Sequence, residues 1–316
     1  MQDINTLQAD GSNAHLSQYL PALPSVAGGS VARLHFDSLA DLAAYIPVRA
    51  PENLTQQSKR YWGTTGPNER EFFGPVDTMA QTLDLARNGW ADGAERARPL
   101  LDRVKTSRPT ARKLARYDVA GAVPSIPRYL AGNPLNMRSI ARTATTKQPV
   151  ITLICNVAAP SHVPHELFQN RAIAAAAIVD RLEDAGFRVE IISGRRESSE
   201  RGEKNNKTGH RSEMFFRLKS AQDTLDLPRV CFGMGHPAAL RRMLFGACDL
   251  HASYKASLGD FQGYAVSLAS LDMPPGTYAL PDLRTIENDM DKSRDPIKVF
   301  DYVLQFLTKQ HCPGLE

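Results

Sequence analysis

The spacing of apolar and polar positions along the chain changes near residue 149. Residues 150–155 form a short, nearly continuous apolar and β-branched run, which is typical of a strand buried on both faces. From about residue 167 to 185 the apolar positions recur at helical spacing, and Gly186 stands where a helix C′ glycine would stand. Residues 188–193 return to a strand-like pattern. This order predicts a strand, a crossover helix and a second strand, in other words a βαβ unit with parallel strands.

The rest of the second half also alternates between strand-like and helix-like patterns. Further strands are predicted at 213–219, 229–234 and 264–268, and helices at 236–249 and 296–309. The run between 194 and 212 is highly polar and predicts a surface loop.

The first half has a different pattern. Residues 1–30 are polar and rich in small residues, which predicts a flexible arm or one that docks on a neighbouring subunit. Residues 31–148 predict short helices and loops, so we expect a domain boundary near residue 148. The expected fold class is α/β, with a mainly parallel, doubly wound Rossmann-like sheet in residues 149–316 preceded by a mostly helical N-terminal region.

The composition and the cysteine positions argue against a membrane protein, a secreted protein and a zinc protein. No run approaches eighteen apolar residues and the first twenty residues lack a basic and apolar leader, so no membrane span and no secretion signal are expected. The four cysteines are far apart and form no Cys-x-x-Cys pair; they are Cys155, Cys231, Cys248 and Cys312. This scatter predicts reduced, buried thiols in a cytoplasmic protein and no zinc site.

The most basic region is the stretch 105–147, with nine cations against one acid, Asp118. The cations assigned to a nucleic-acid or partner surface are Lys105, Arg108, Arg112, Lys113, Arg116, Arg128, Arg138 and Arg142. Basic side chains interleaved with Tyr117 and Tyr129 suit single-stranded DNA or RNA. Prolines divide the stretch into short pieces, which favours a partner interface or an ordinary solvated surface instead.

The loop after the first buried strand, residues 156–162, is where an α/β sheet usually binds its ligand. With the strand before it, the long helix after it and the Gly-turn that follows, it resembles a von Willebrand factor A domain over roughly residues 149–307. The resemblance implies an Asp-x-Ser-x-Ser loop that binds a divalent metal. This chain has Asn156, Ala158 and Pro160 at those positions, and Ser161 is displaced by one. An amide and a methyl group cannot supply the charge that a hard cation needs, so we expect a degenerate domain without metal.

Two further groups of residues are candidate binding sites. His162 and His165, followed by Glu166, provide groups for acid–base work or metal binding, or simply a polar loop before a helix. The Gly233-x-Gly235-His236-Pro237 segment, read as a strand followed by a helix, could bind a phosphate or could be a tight turn, because the third glycine of a dinucleotide loop is missing. The residues of the following helix that could contact a phosphate or a partner are Arg241 and Arg242, although the pattern favours solvated surface for both.

A second resemblance covers about residues 35–250. The motifs are Tyr61-Trp62-Gly63, Asn88-Gly89-Trp90-Ala91-Asp92-Gly93, Leu130-Ala131-Gly132-Asn133-Pro134-Leu135-Asn136-Met137 and His236-Pro237-x-x-Leu240-Arg241-Arg242. Together they are similar to an uncharacterised family of bacteriophage and bacterial proteins. The resemblance implies a protein that acts in the host cytoplasm or in the virion and implies no chemistry.

These observations favour a non-enzymatic binding or assembly protein that uses a degenerate von Willebrand A-like domain as a scaffold for a protein partner or for self-association. The first alternative is a protein that binds nucleic acid through the basic stretch. The second is an enzyme with a site at the strand ends. The candidate binding residues are Asn156, Ser161, His162, His165, His236, Arg241 and Arg242. No catalytic residue, metal, cofactor or membrane partner is assigned.

Overall fold

A computed structural model of the chain describes residues 16, 18, 31–52, 54–105, 116–119, 123–139, 148–199, 211–250, 263–290 and 294–315. The chain divides into two compact units. The α/β unit comprises residues 1–102 and 150–316, and the small unit comprises residues 103–149.

The α/β unit contains a mixed, mostly parallel sheet. Its described strands are β1 (Val31–Phe36), β5 (Val150–Asn156), β6 (Arg188–Ser198), β7 (Arg211–Lys219), β8 (Tyr264–Ala265) and β9 (Thr277–Ala279). The strand order is β1-β7-β6-β5-β9, with β8 paired to β6. The β1–β7, β5–β6 and β5–β9 pairs are parallel, whereas the β6–β7 and β6–β8 pairs are antiparallel.

Helices precede, separate and follow these strands along the chain. The first are α1 (Leu39–Tyr45), α2 (Gln56–Trp62), α3 (Arg70–Phe73), α4 (Met79–Asn88) and α5 (Ala91–Lys105), and α5 runs across the division into the small unit. The small unit adds α6 (Ile126–Leu130). The later helices are α7 (His165–Asp184), α8 (Leu227–Gly235), a π-helix (Ala239–Leu244), α9 (Phe245–Asp249), α10 (Leu283–Asp289) and α11 (Pro296–Lys309).

The central β5–α7–β6 unit is confirmed, with its two strands parallel. All of β5 except Val150 is buried, as its continuous apolar run predicts. Helix α7 packs against both α8 and α11, which accounts for apolar residues around most of its circumference. Gly186 follows the helix at φ +96°, a left-handed conformation that favours glycine at this C′ position.

Two secondary-structure predictions are wrong. Residues 229–234 were expected to form a strand, but they lie in α8. The apolar run Val230-Cys231-Phe232 suits either element, and the helix is selected by its start: Asp226 accepts a hydrogen bond from the Arg229 amide, and Pro228 stands in the first turn. Residues 31–36, expected in a helical and loop-rich region, form β1 because β7 offers them a parallel partner.

The prediction of a surface loop at 194–212 is also wrong for the described residues of that run. Residues 194–198 continue β6 and residues 211–212 begin β7, and both segments are buried. Some of the buried charges are paired: Arg195 interacts with Glu197, and Arg196 interacts with buried Glu213, which also contacts Arg33 and His35. Burial alone would raise the pKa of Glu213, but the His35 hydrogen bond and the arginine charges hold that pKa below its ordinary value. Residues 200–210 of the expected loop lie outside the described residues.

The expected boundary at residue 148 differs from the division into units. Residues 31–102 belong with residues 150–316, because β1 joins the same sheet as β5 to β7 and because α4 packs against α8. Most of the arm predicted at 1–30 lies outside the described residues. Leu16, which is described, is buried in a core cluster whose other members are Ile154, Ile192, Phe215, Leu268 and Ala279.

The small unit has a three-stranded antiparallel sheet in its described part. The strands are β2 (Arg116–Asp118), β3 (Val123–Pro124) and β4 (Met137–Ser139), in the order β2-β4-β3. Helix α6 lies in the connection between β3 and β4. The Ser125 amide donates to the Asn136 carbonyl at 2.7 Å, which closes the base of this connection.

Two adjacent arginines of the π-helix join distant segments of the α/β unit. Arg242 is fully buried and donates to the carbonyls of Tyr61 at 2.9 Å and of Gly63 at 2.7 Å. Its other terminal nitrogen contacts the Thr65 hydroxyl and the Asp77 carbonyl, and its guanidinium carbon lies 4.4 Å from the Phe73 ring centroid. Burial lowers the pKa of Arg242 to about 10, so the side chain remains charged at neutral pH.

We expect Arg242→Lys to lower the free energy of unfolding by roughly 2–4 kcal/mol, because an ammonium cannot reach all the carbonyls that the planar guanidinium reaches and leaves some of them buried without a donor. Urea titration measures the loss. The matched control is Arg229→Lys, at an exposed position of α8, which should change the value by no more than about 0.5 kcal/mol. Equal effects of the two substitutions would contradict the assigned role of Arg242.

Candidate functional site

Asn156 ends β5 and is buried, with 1% of its surface exposed. Its amide nitrogen donates to the carbonyls of Arg196 at 3.2 Å and of Val266 at 2.8 Å. Its amide oxygen accepts from the backbone amides of Ala158 at 3.0 Å and of Arg196 at 3.2 Å. The side chain therefore joins β5, β6 and the segment after β8, and both polar atoms are used within the protein.

The residues of this loop do not fit the divalent metal that the von Willebrand A resemblance implies. The Asn156 oxygen already accepts two amide hydrogens, and Ala158 and Pro160 offer no side-chain oxygen. Within the described residues no group of three or more His, Cys, Asp or Glu side chains is placed to bind a metal ion.

Arg241 fixes the loop that follows. It is 1% exposed and donates to the carbonyls of Pro160 at 3.0 Å, of Ser161 at 3.3 Å and of Val163 at 3.1 Å. A fourth bond reaches the Phe72 carbonyl at 2.9 Å. Two of the candidate binding residues, Ser161 and Arg241, are therefore in contact in the structure. The expectation of solvated surface for Arg241 and Arg242 is wrong, because carbonyl oxygens inside the protein replace the water that would hydrate them.

The two loop histidines differ in exposure. His162 is exposed, and its Nε2 lies 3.3 Å from a carboxylate oxygen of Glu287 in α10. His165 begins α7 and is half-buried, with Nδ1 3.6 Å from Glu166, whose other oxygen lies 3.5 Å from Arg294. These pairs form a polar edge beside the carboxyl end of β5.

His236 is buried and uncharged. Its Nδ1 accepts from the Ala238 amide at 3.1 Å, and its ring meets Trp90 edge to face with 4.7 Å between centroids. Burial, with a smaller contribution from the neighbouring charge of His165, lowers the pKa of His236 to about 3. His165, 71 positions earlier in the chain, is near enough to His236 to contribute to the lowering of its pKa.

The glycines before His236 do not form a phosphate-binding loop. Both lie inside α8, not between a strand and a helix. A Cβ on Gly235 would lie 2.9 Å from the Ala172 Cβ, and one on Gly233 would lie 2.5 Å from a Leu218 methyl carbon. The two glycines allow close packing of α8 on α7 and β7.

A buried pair that sequence reasoning missed lies at the carboxyl ends of β5 and β9. Arg171 of α7 is fully buried and donates to the Asn156 carbonyl at 2.9 Å, while its Nε and Nη2 have no hydrogen-bond partner among the described residues. Burial raises the pKa of nearby Asp282 to about 6, against the hydrogen bond from Ser267 and the Arg171 charge. The only sequence signal for this pair is a charged residue among the apolar positions of α7.

The structure describes only part of the basic stretch 105–147. Arg128 is the one candidate cation with a described side chain; its guanidinium carbon lies 4.0 Å from the Tyr117 ring centroid. The backbones of Lys105, Arg116 and Arg138 are placed at the end of α5, in β2 and in β4. The remaining four candidates, Arg108, Arg112, Lys113 and Arg142, lie outside the described residues.

Charge is distributed unequally between the two units. Residues 103–149 contain ten Lys and Arg and a single acid, Asp118, a formal charge of +9. Because the whole chain carries +4, the remaining residues carry −5. The basic character of the protein therefore belongs to the small unit.

All four cysteines are free and buried, as predicted. Burial raises the pKa of Cys231 and of Cys312 to about 12 and that of Cys248 to about 11, so the thiols are protonated at neutral pH. None of the helices in the described ranges has both the length and the apolar character needed to span a bilayer.

Comparison with known proteins gives one match. A family model described as a domain of unknown function, DUF7192, matches residues 12–313. No curated protein and no solved structure matches the chain. The family description mentions neither a bacteriophage source nor a von Willebrand A domain, so both resemblances remain proposals.

We expect Asn156→Asp to lower the free energy of unfolding by roughly 2–4 kcal/mol, because a carboxylate cannot donate to the Arg196 and Val266 carbonyls. The control is Asn288→Asp at an exposed position of α10, which should stay within about 0.5 kcal/mol. Mg²⁺ or Mn²⁺ should not raise the melting temperature of the wild type. A rise with either metal that Asn156→Ala abolishes would contradict this interpretation of the loop.

Two buried groups should make opposite contributions to stability as the pH changes. His236 has a folded pKa of about 3 against an ordinary 6.5, so the unfolded chain binds the extra proton between these values and His236 destabilises the fold as pH falls through that window. Asp282 has a folded pKa of about 6 against an ordinary 3.8, so the folded chain binds the extra proton there. Asp282 therefore stabilises the fold as pH falls through about 6.

Urea titrations at several pH values separate the two contributions. The stability of His236→Gln relative to wild type should rise as pH falls from about 7 to about 4.5, with a limiting slope of about 1.4 kcal/mol per pH unit. The stability of Asp282→Asn relative to wild type should fall over the lower part of the same range. A pH-independent difference for either variant would show that the group does not titrate in this way.

Proposed function

The chain belongs to the DUF7192 family, and we propose that it is a binding protein whose small unit, residues 103–149, contacts nucleic acid. The observation that carries the proposal is the concentration of charge: +9 within 47 residues, against −5 in the rest of the chain. A segment with this excess of positive charge is expected to attract a polyanion, because each neutralised phosphate releases condensed counterions.

The contacts of Arg128 support the same proposal. Its guanidinium group lies over the Tyr117 ring, and Nη1 donates to the Leu135 carbonyl at 3.2 Å. A planar cation oriented in this way has further N–H groups for phosphate or for base edges. No acidic side chain in the small unit other than Asp118 competes for it.

We propose the α/β unit as the scaffold, of a degenerate von Willebrand A-like kind. Supporting this are the β5–α7–β6 crossover and the loop in which hydrogen bonds within the protein occupy the polar atoms of Asn156. Arg241 and Arg242 likewise donate to carbonyls of the unit itself. Of the candidate binding residues, Ser161, His162 and His165 retain exposed surface.

A second candidate is the assembly or protein-binding role expected from the resemblance to bacteriophage proteins. The observation that favours it is the exposure of aliphatic side chains in the small unit, where Val119, Ile126 and Leu130 are 66%, 67% and 78% exposed. A protein partner or a second copy of the chain would remove such surface from water.

We expect fluorescently labelled oligonucleotides to bind the protein with an affinity that falls steeply with salt, the log–log slope growing by roughly 0.7–0.9 for each phosphate contacted. Fluorescence anisotropy over a series of KCl concentrations measures the slope. Reversing Arg112, Lys113 and Arg116 to Glu should weaken binding at least about tenfold and reduce the slope.

The matched control reverses three exposed cations of the α/β unit, Arg284, Lys298 and Lys309, and so changes net charge equally. It should leave binding nearly unchanged. Equal losses in both triple variants would reject the small unit as the surface. Absence of nucleic-acid binding, together with altered sedimentation of the first triple variant, would favour the second candidate instead.

A further inference from the structure

The exposed apolar side chains of the protein are concentrated in the small unit. Seven large apolar side chains in the described ranges are exposed, and five of them belong to residues 103–149. Those five are Val119, Ile126, Tyr129, Leu130 and Leu135. In the described ranges, the most basic part of the chain therefore also has most of the exposed large apolar side chains, a combination that a purely solvated surface does not need.

Three of the five lie on one side of α6. Ile126, Tyr129 and Leu130 stand at positions i, i+3 and i+4, which are neighbours on a helix surface. Tyr129 is 68% exposed, so a large part of its ring is available for contact. These side chains form what we call the α6 face.

Backbone hydrogen bonds hold the helix that carries the α6 face. The Tyr129 amide donates to the Ser125 carbonyl at 2.9 Å, and the Asn133 amide donates to the Arg128 carbonyl at 3.0 Å. Gly132, at φ +69°, makes the turn that ends the helix. The face is thus oriented before any ligand binds, which reduces the entropy lost on binding.

Arg128 lies within the same helical turn, between Ile126 and Tyr129 in sequence. Its guanidinium is positioned by the Tyr117 ring and by the Leu135 carbonyl. Residues one or two positions apart do not share a helix face, so a ligand on the α6 face would meet an apolar aromatic surface, with the Arg128 cation on another side of the same turn.

We propose that the α6 face is a base-stacking surface, and that the small unit consequently prefers single-stranded DNA or RNA to duplex. This inference rests on the proposed function. A single strand offers both a flat base, whose face stacks on an aromatic ring, and a phosphate close to it. A duplex hides the base faces in its stack and presents phosphates, which gain nothing from Ile126, Tyr129 or Leu130.

Charge complementarity distinguishes a nucleic acid from a protein as the occupant. A protein that covered the α6 face would also have to neutralise a unit with ten cations and one acid. A nucleic acid supplies one phosphate charge for each nucleotide along its whole length, next to the base that covers the apolar side chains.

The test compares Tyr129→Ala with Tyr129→Phe, which keeps the ring. The control is Val48→Ala, at an exposed apolar position of the α/β unit. Each is titrated against labelled oligothymidylate and oligouridylate, against a mixed-sequence duplex of the same length, and against inorganic polyphosphate, which has charge but no bases. The wild type should bind the single strands more tightly than the duplex at equal salt.

Tyr129→Ala should weaken binding to the single strands by about five- to a hundredfold and leave the duplex and polyphosphate affinities nearly unchanged. Tyr129→Phe and Val48→Ala should bind like the wild type. Circular dichroism and thermal melting establish that each variant folds. The ratio of single-strand to duplex affinity is the decisive readout, because a general loss of folded protein lowers both affinities together.

Two results would overturn the inference while leaving the proposed function intact. One is equal affinity of the wild type for single strands and duplex. The other is a single-strand affinity that Tyr129→Ala does not change, which, with a shift in sedimentation of that variant, would assign the α6 face to a protein contact. Failure of the wild type to bind any nucleic acid would instead reject the proposed function itself.

Discussion

The α/β unit depends on the hydrogen bonds of Arg241 and Arg242, because these two side chains join segments that lie far apart in the chain. One guanidinium group binds the loop after β5 to the Phe72 carbonyl, and the other binds carbonyls of Tyr61, Gly63 and Asp77. Taking two charges out of water is costly, and the cost is recovered only if most of the donors meet acceptors. The acceptors are backbone carbonyls of loops and helix ends, so the loops and the arginines stabilise each other.

The same need to pair buried polar groups explains why Asn156, which was expected to bind a ligand, instead stabilises the fold. The end of β5 is where parallel sheets expose backbone amides and carbonyls, and Asn156 satisfies four of these groups. Its own carbonyl accepts from Arg171. Among the described residues of this edge, Ser161 and His162 remain exposed.

Features set by residues close together in the chain could be predicted from the sequence, whereas features set by residues far apart in the chain could not. The spacing of apolar residues reports burial directly, so β5, α7, β6 and α11 were predictable. Val230-Cys231-Phe232 was ambiguous, since three apolar residues fit a strand and a helix alike. Arg241 and Arg242 were misjudged because their acceptors lie about 80 to 180 residues away in the chain. Asn156 was predicted as a candidate binding residue, and its hydrogen bonds to Arg196 and Val266 could not be predicted because partners so far along the chain leave no local signal.

The separation of charge between the two units has a consequence for how the protein behaves in solution. Near its isoelectric point, at about pH 8.9, the whole molecule has no net charge, yet one part of it is still strongly positive and the other negative. Neutrality of this kind does not remove electrostatic attraction between molecules, because the basic unit of one copy attracts the acidic unit of another. At low ionic strength we expect this attraction to favour association, and we expect added salt, by screening it, to increase solubility.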